Sequence, residues 1–416
     1  MESGQARDER RAAVSAWGVF RVFLQLGLTS FGGPVAHLGY FREAFVARRR
    51  WLDEHAYADL VALCQFLPGP ASSQVGIGIG LAKAGYAGAL AAWLGFTLPS
   101  ALALTLFGYG VAAYQDGLPA GLLHGLKVVA VAVVAQAVWG MARTLCPDAP
   151  RATLAVLAAA AVLAVPGAGA QLAVIAGGAL AGLLVLPGQP DRAATSLGIA
   201  VNKAVAVAAL LLFFALLIGL PLLAAAYPVQ GAAGQSLALA DSFYRSGALV
   251  FGGGHVVLPL LQAEVVSPGW VSSDAFLAGY GAAQAVPGPL FTFAAYLGAV
   301  MAPLPNGVPL GLGGAAICLV AVFAPSFLLV IGALPFWDGL RHHPLARRAL
   351  TGVNAAVVGL LLAALYDPVW TGAILAPKDV ILALAAFTLL VFWKVPPWLV
   401  VLLSAAGGWA LQAAAG

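Results

Sequence analysis

The feature that most constrains this chain is that it says the same thing twice. Phe31-Gly-Gly-Pro-Val-Ala-His37 is followed by Gln65-Phe-Leu-Pro-Gly-Pro70, and Phe251-Gly-Gly-Gly-His-Val-Val-Leu-Pro259 is followed by Gln284-Ala-Val-Pro-Gly-Pro289. The first motif recurs 220 positions on, from Phe31 to Phe251, and the second 219 positions on, from Pro70 to Pro289. Between them Trp51-Leu-Asp-Glu54 answers Trp270-Val-Ser-Ser-Asp274. Each motif puts glycine or proline inside an apolar segment. Such breaks survive at membrane depth only where protein buries them or a wet cavity borders them. The chain is therefore expected to fold as two copies of one broken-helix unit.

Composition makes the membrane the solvent. Of 416 residues, 62% are hydrophobic and 9% charged, and the mean hydropathy is +0.95, whereas a soluble domain carries about 25% charged residues. Apolar segments run from about residue 14 to the end, leaving no room for a large soluble domain. The first segment carries Arg21, lacks a small-residue cleavage site, and is not a signal peptide. Cys64, Cys146 and Cys318 have no ligand-like spacing, so no metal or disulfide framework is indicated. A net charge of +4 gives no reason to expect nucleic acid.

The pairing extends beyond the motifs. Pro99-Ser100 matches Pro325-Ser326, Gly125-Leu-Lys127 matches Gly352-Val-Asn354, and Gly177-Gly178 matches Gly407-Gly408. We expect an all-α polytopic membrane protein with an N-terminal repeat over 1–190 and a C-terminal repeat over 236–416. Residues 191–235 would supply a linker and one connecting helix. Each repeat would hold two broken segments and about four spanning helices. Basic residues collect on the cytoplasmic side. The 42–54 loop holds Arg42, Arg48, Arg49 and Arg50, whereas its counterpart at 260–274 holds no Lys or Arg. The 114–120 loop holds only Asp116, whereas its counterpart holds Arg341, His342, His343, Arg347 and Arg348. The bias reverses in both places, so the copies are expected to be inverted, with the lone segment at 197–226 supplying the odd crossing. The same charges favour re-entrant hairpins over broken crossings, entering from the cytoplasm in copy one.

Four breaks paired two by two point to a site at the repeat interface. Pro70 suits a first helical turn, so the free N–H groups after it, with the Ser72 and Ser73 hydroxyls, could hold an oxyanion at the helix N-terminus. Pro289 and Thr292 repeat that geometry. Gly32, Gly33, Gly69, Gly252, Gly253 and Gly288 allow close approach of backbone, and Pro34, Pro68, Pro70, Pro287 and Pro289 break the helices; alternatively, all are packing and kink devices. Gln65 and Gln284 could donate to an anion or to an unwound carbonyl. Arg245 could offer its guanidinium to a tetrahedral dianion, or snorkel. Lys127 is a further charge, or half of an ion pair. His37, His255, Glu43 and Glu264 could couple protons to transport, or be interfacial and solvated.

Phe31-Gly-Gly-Pro34, Arg49-Arg-Trp-Leu-Asp53, Gln65-Phe-Leu-Pro-Gly-Pro70, Phe251-Gly-Gly-Gly-His255 and Gly279-Tyr-Gly-Ala-Ala-Gln-Ala-Val-Pro-Gly-Pro289 together resemble the chromate ion transporter family, in its long two-domain form and over essentially the whole chain. The resemblance implies a bacterial inner-membrane protein that exports chromate by the proton-motive force, with the isosteric sulfate as a competitor. Family members often carry Lys or Arg where this chain has Gln25. The partners expected are chromate or sulfate and the lipid bilayer, with a homodimer left open. No cofactor is expected. A membrane-embedded enzyme would need a CxxC, a His, Cys and carboxylate cluster, or a nucleotide loop, and the sequence has none of these.

Overall fold

A computed structural model describes residues 14–113, 119–165, 167–186, 199, 201–227, 231–301 and 311–413. The basic N-terminal tail, the tip of the 114–120 loop and the linker at 187–198 lie outside the described residues. Copy one comprises α1 (Ala16–Thr29), α2 (Gly33–Phe41), α3 (Glu54–Phe66), α4 (Ala71–Ala113), α5 (Ala120–Leu145), α6 (Ala149–Ala164) and α7 (Ala168–Val185). The connecting helix is α8 (Lys203–Ala226). Copy two comprises α9 (Ala232–Ala248), α10 (Val257–Val265), α11 (Ser273–Ala283), α12 (Phe293–Val300), α13 (Gly311–Ala333), the short α14 (Trp337–His342), α15 (Pro344–Ala364), α16 (Pro377–Val391) and α17 (Pro397–Ala413). Helices long and apolar enough to cross a bilayer include α5, α8 and those built on α4, α13 and α15. The protein is a multi-pass membrane protein.

Side chains that start helices match between the copies. Asp53 caps α3 by accepting from Ala56 N, and Ser272 caps α11 by accepting from Ala275 N. At Ala84–Gly85 the backbone of α4 is non-helical, with φ +60° at Gly85. The chain reverses there, so that a Cβ on Gly80 would lie 2.2 Å from the Gly88 carbonyl oxygen. We call the two pieces α4a (71–83) and α4b (86–113).

The broken segments are hairpins. Leu60 and Gly78 lie nine positions either side of Gly69, and a Cβ on Gly78 would stand 2.7 Å from Leu60 Cδ1. Collinear helices would keep those residues about 25 Å apart at 1.5 Å per residue, so α4a folds back along α3. Phe23 meets Phe41 at 5.6 Å and Phe45 at 4.9 Å, bringing α2 back along α1. Gly279 faces Tyr296 and Phe276 meets Phe293 at 5.2 Å, closing α11 on α12. Arg245 reaches Glu264 at 3.2 Å, closing α9 on α10. The longest limb, α9, has 17 residues, about 26 Å against a hydrocarbon core of about 30 Å. No limb crosses alone, and re-entrant hairpins replace the alternative of broken crossings.

One ion pair shows that the copies are inverted. From the base of copy one's hairpins α4b runs about 42 Å to the opposite face, and α5 starts there. Lys127, about two turns into α5, binds Asp274 at the base of the α11–α12 hairpin, with Nζ 2.9 Å from Oδ1. The hairpins of the two copies therefore open to opposite faces.

The last two helices of each copy are exchanged onto the other. α17 lies along α5, and α7 lies along α15. Glycines make both contacts: a Cβ on Gly125 would be 2.2 Å from Ser404 O, and one on Gly352 would be 2.0 Å from Gly178 O. Gly125 and Gly352 are repeat mates, and their partners show that Gly178 corresponds to Ser404 and Gly182 to Gly408, four positions off the Gly177-Gly178 and Gly407-Gly408 pairing read from sequence; the two contacts are then one contact seen from each side of a local two-fold. Close backbone packing of this kind replaces hydrophobic drive between helices in lipid. Gly125→Leu and Gly352→Leu should each cut the yield of monodisperse protein in detergent, since overpacking costs about 1–3 kcal/mol. Gly177→Ala, with no neighbour within 4 Å, should leave the size-exclusion profile unchanged.

Candidate functional site

The four hairpin tips meet crosswise at the centre. Gly69 N in the second tip of copy one donates to Val250 O in the first tip of copy two, at 2.6 Å. Gly288 N in the second tip of copy two donates to Ser30 O in the first tip of copy one, at 2.9 Å. Gly69 and Gly288 are mates, as are Ser30 and Val250. The remaining contacts obey the same rule: a Cβ on Gly69 would lie 3.0 Å from Ser326 Oγ, and one on Gly288 would lie 2.8 Å from Ser100 Oγ. The two first tips also touch, with a Cβ on Gly254 standing 3.0 Å from Pro34 Cγ.

The six glycines singled out in the sequence all take left-handed backbone. Gly32, Gly33, Gly69, Gly252, Gly253 and Gly288 have φ of +100°, +76°, +124°, +76°, +136° and +97°. At Gly69 the requirement is double, because its Cβ would also meet Gln74 Nε2 at 2.6 Å. Pro34 sits in the first turn of α2. Pro68 O accepts from Gln74 Nε2 at 2.7 Å, and Pro70 O accepts from Gln74 N at 3.0 Å. The N–H groups of Ala71, Ser72 and Ser73 thus open α4a without intrahelical acceptors, pointing into the centre.

The tips and the helices packed on them hold a set of buried polar atoms that no protein group bonds. They are the hydroxyls of Ser30, Ser73, Thr97 and Ser326, with Gln74 Oε1 and His37 Nε2. His37 is fully buried, its Nδ1 3.4 Å from Ser72 Oγ. Orphaned buried hydroxyls are costly, and several of them beside a helix N-terminus offer hydrogen-bond donors and a positive dipole end to an anion. Copy two offers less. The Thr292 hydroxyl donates to Pro289 O at 2.7 Å, and Pro287 and Pro289 hold a shorter helical start.

The other residues singled out in the sequence lie elsewhere. The Arg245 guanidinium does not stand open to an anion, because it is held by Asp241 Oδ2 at 2.7 Å and Glu264 Oε2 at 3.2 Å. Lys127 is bound to Asp274. Glu43 pairs with Arg48 on the exposed surface at 2.8 Å. Gln65 is exposed, whereas its mate Gln284 is half-buried with only a 3.5 Å contact to Tyr280 O. His255 Nδ1 lies 2.8 Å from Tyr280 Oη, and its Nε2 lies 3.9 Å from where Gly33 would carry a Cβ. Gly252 packs against Met141 and Val357. Sequence reasoning missed Ser30, Gln74, Thr97 and Ser326. Ser326 could have been found, since the Pro99-Ser100 and Pro325-Ser326 pairs repeat; the others carry no such signal.

Inverted copies whose broken hairpins meet at their interface define a class: polytopic membrane proteins with a central site of the kind transporters use. The chain belongs to the chromate transporter family, whose pattern matches residues 17–183 and 237–409. It is 30% identical over 402 residues to the chromate transport protein of Pseudomonas aeruginosa, covering 94% of this chain and 91% of that one. It is 27% identical over 396 residues to a probable chromate transport protein of Synechococcus elongatus, covering 89% and 94% of the two chains. A transporter of Methanocaldococcus jannaschii, described as uncharacterized, is 27% identical over 370 residues, or 87% of each chain. No solved structure matches.

Gly69→Ala should lower the thermal midpoint of the purified protein, because left-handed backbone at a residue with a Cβ costs about 1–2 kcal/mol before any clash. Gly85→Ala, with the same sign of φ but open space around it, should cost less. Differential scanning fluorimetry in detergent checks both.

Proposed function

We propose that the protein is a secondary transporter in the bacterial inner membrane that exports chromate from the cytoplasm, driven by the proton-motive force, and so gives chromate resistance. The observation that carries this reading is the crossed set of tips, where the N-terminus of α4a with its unpartnered Ser73 hydroxyl lies next to the Gly69 tip and the unpartnered Ser326 hydroxyl, and Ser30 stands at the facing tip. A tetrahedral dianion takes donors from all sides, and this centre supplies donors without a fixed cation. Family membership and the printed names of the Pseudomonas and Synechococcus relatives support chromate as the anion. The same donors would accept sulfate, so sulfate or another oxyanion, taken up or exchanged, is the second reading.

Cells expressing the protein should accumulate less chromate than cells without it, and an uncoupler should restore accumulation. Accumulation that rises and is blocked by excess sulfate would replace export with oxyanion uptake. Ser73→Ala and Ser326→Ala should each lower export roughly tenfold, since a hydrogen bond to a charged group contributes about 1.5–3 kcal/mol. Full activity in the Ser73→Ala, Ser326→Ala double variant would remove the central site from the reading. Single cysteines in the 42–54 and 260–274 loops should be labelled from the cytoplasmic and outer faces respectively.

A further inference from the structure

The α9–α10 hairpin is closed by a part-buried charge cluster that the central site does not use. Arg245 Nη2 bonds Asp241 Oδ2 at 2.7 Å within α9 and Glu264 Oε2 at 3.2 Å on α10. The three side chains are 26%, 10% and 12% exposed respectively, so water reaches the cluster only narrowly. One guanidinium faces two carboxylates, leaving one negative charge uncompensated. A buried carboxylate in excess of its counterions is neutralised by taking a proton. Of the two, Glu264 is the more loosely held.

A small cavity lies beside the cluster, lined by Gln171 and Leu172 of α7 together with Arg245, Ser246, Leu249, Leu260 and Glu264. Gln171 is 4% exposed. Its Nε2 donates to Pro259 O at 3.1 Å, while its Oε1 is buried with no donor. An ionised Glu264 has no hydrogen to offer that oxygen; a protonated Glu264 has one. Among the described residues, α8 brings only Lys203 at its far start and α13 only Cys318. Tyr244 donates to Phe213 O and His255 is engaged by Tyr280. Arg348 at the start of α15 donates to Leu186 O, Arg347 is engaged as well, and Ser242 lies within hydrogen-bonding reach of Glu264.

We propose that Glu264 is the proton-binding site that couples transport to the proton gradient, with Arg245, Asp241 and Gln171 as its positioning residues. This rests on the reading of the protein as proton-driven. Protonation turns the Glu264 carboxylate into a hydroxyl donor for Gln171 Oε1 and leaves Arg245 neutralised by Asp241 alone. The ionic tie between α9 and α10 is thereby lost. α10 leads directly from the tip that touches Pro34, so a change in that tie reaches the central site. Copy one carries Arg21, Gln25 and Ala44 at the matching positions and has no carboxylate there, so the device belongs to copy two alone. Glu264 is the penultimate residue of α10, next to the loop that follows it, on the face where an exporter would take up its proton.

The test uses the full chain in proteoliposomes. Glu264→Gln should keep chromate counterflow within about twofold of the wild type and lose pH-gradient-driven transport by more than about tenfold. Retained gradient drive overturns the proposal. So does loss of counterflow together with drive in folded protein, which would make Glu264 part of translocation itself. Should the variant not fold, the wild type carries the test. Dicyclohexylcarbodiimide, which adds to protonated carboxyls in apolar surroundings, should modify Glu264 faster at acidic than at alkaline pH, as mapped by mass spectrometry. No modification of Glu264 at either pH overturns the assignment. Labelling at Glu264 in a protein that moves no chromate would uphold the proton site and reject the transport reading.

Discussion

Two backbone hydrogen bonds hold the centre of this protein together: Gly69 N to Val250 O and Gly288 N to Ser30 O. In lipid an unwound segment must find partners for its N–H and C=O groups inside the protein, at several kcal/mol for each group that fails. Neither copy does so alone. The second tip of each copy donates to the first tip of the other, so the halves are bound to each other by the breaks that would otherwise be their weakest points. The exchanged arms, α17 on α5 and α7 on α15, enforce the same dependence at the periphery. A half-length chain of this sequence would expose both its tips and its arm, and would need a second half in the opposite orientation.

The symmetry is not complete, and its departures fall where function would need them. α11 packs on α5 and is tied there by Lys127 and Asp274, whereas α3 does not pack along α15 in return. The position matching Asp274 is His55, which offers no carboxylate, and Asn354, the mate of Lys127, is left with a buried Oδ1 and no partner. Gln65 is exposed while the α11 residues from Phe276 to Ala283 are buried. The second hairpin of copy two is thus held along α5, while the second hairpin of copy one is not held along α15 in return.

Polar chemistry is distributed along the same division. Hydroxyls and helix N–H groups without fixed cations lie at the tips, while the charged cluster of Asp241, Arg245 and Glu264 lies about two turns away at the base of one hairpin. On the reading proposed above, such a separation would let one group of residues handle an anion and another answer the gradient, with α10 connecting them.

The sequence by itself determined that this is a membrane protein, that it is duplicated and inverted, and that four breaks matter. Those properties follow from local rules: hydropathy sets the solvent, basic residues set the side, and glycine and proline say where a helix cannot continue. That glycine matters at Gly32, Gly69, Gly252 and Gly288 was legible for the same reason, whereas their left-handed φ is what the structure added. What only the tertiary structure decided is which atoms face each other. Arg245 reads as a free cation only if Asp241, one helical turn before it and its 2.7 Å partner, is overlooked; Glu264, nineteen positions away, meets it only when the hairpin closes. Ser30, Thr97 and Ser326 look like ordinary small residues of membrane helices until the crossed tips bury their hydroxyls without partners. A hydrogen bond is a distance between atoms, and here the distances that define the site are set by packing between two halves of the chain.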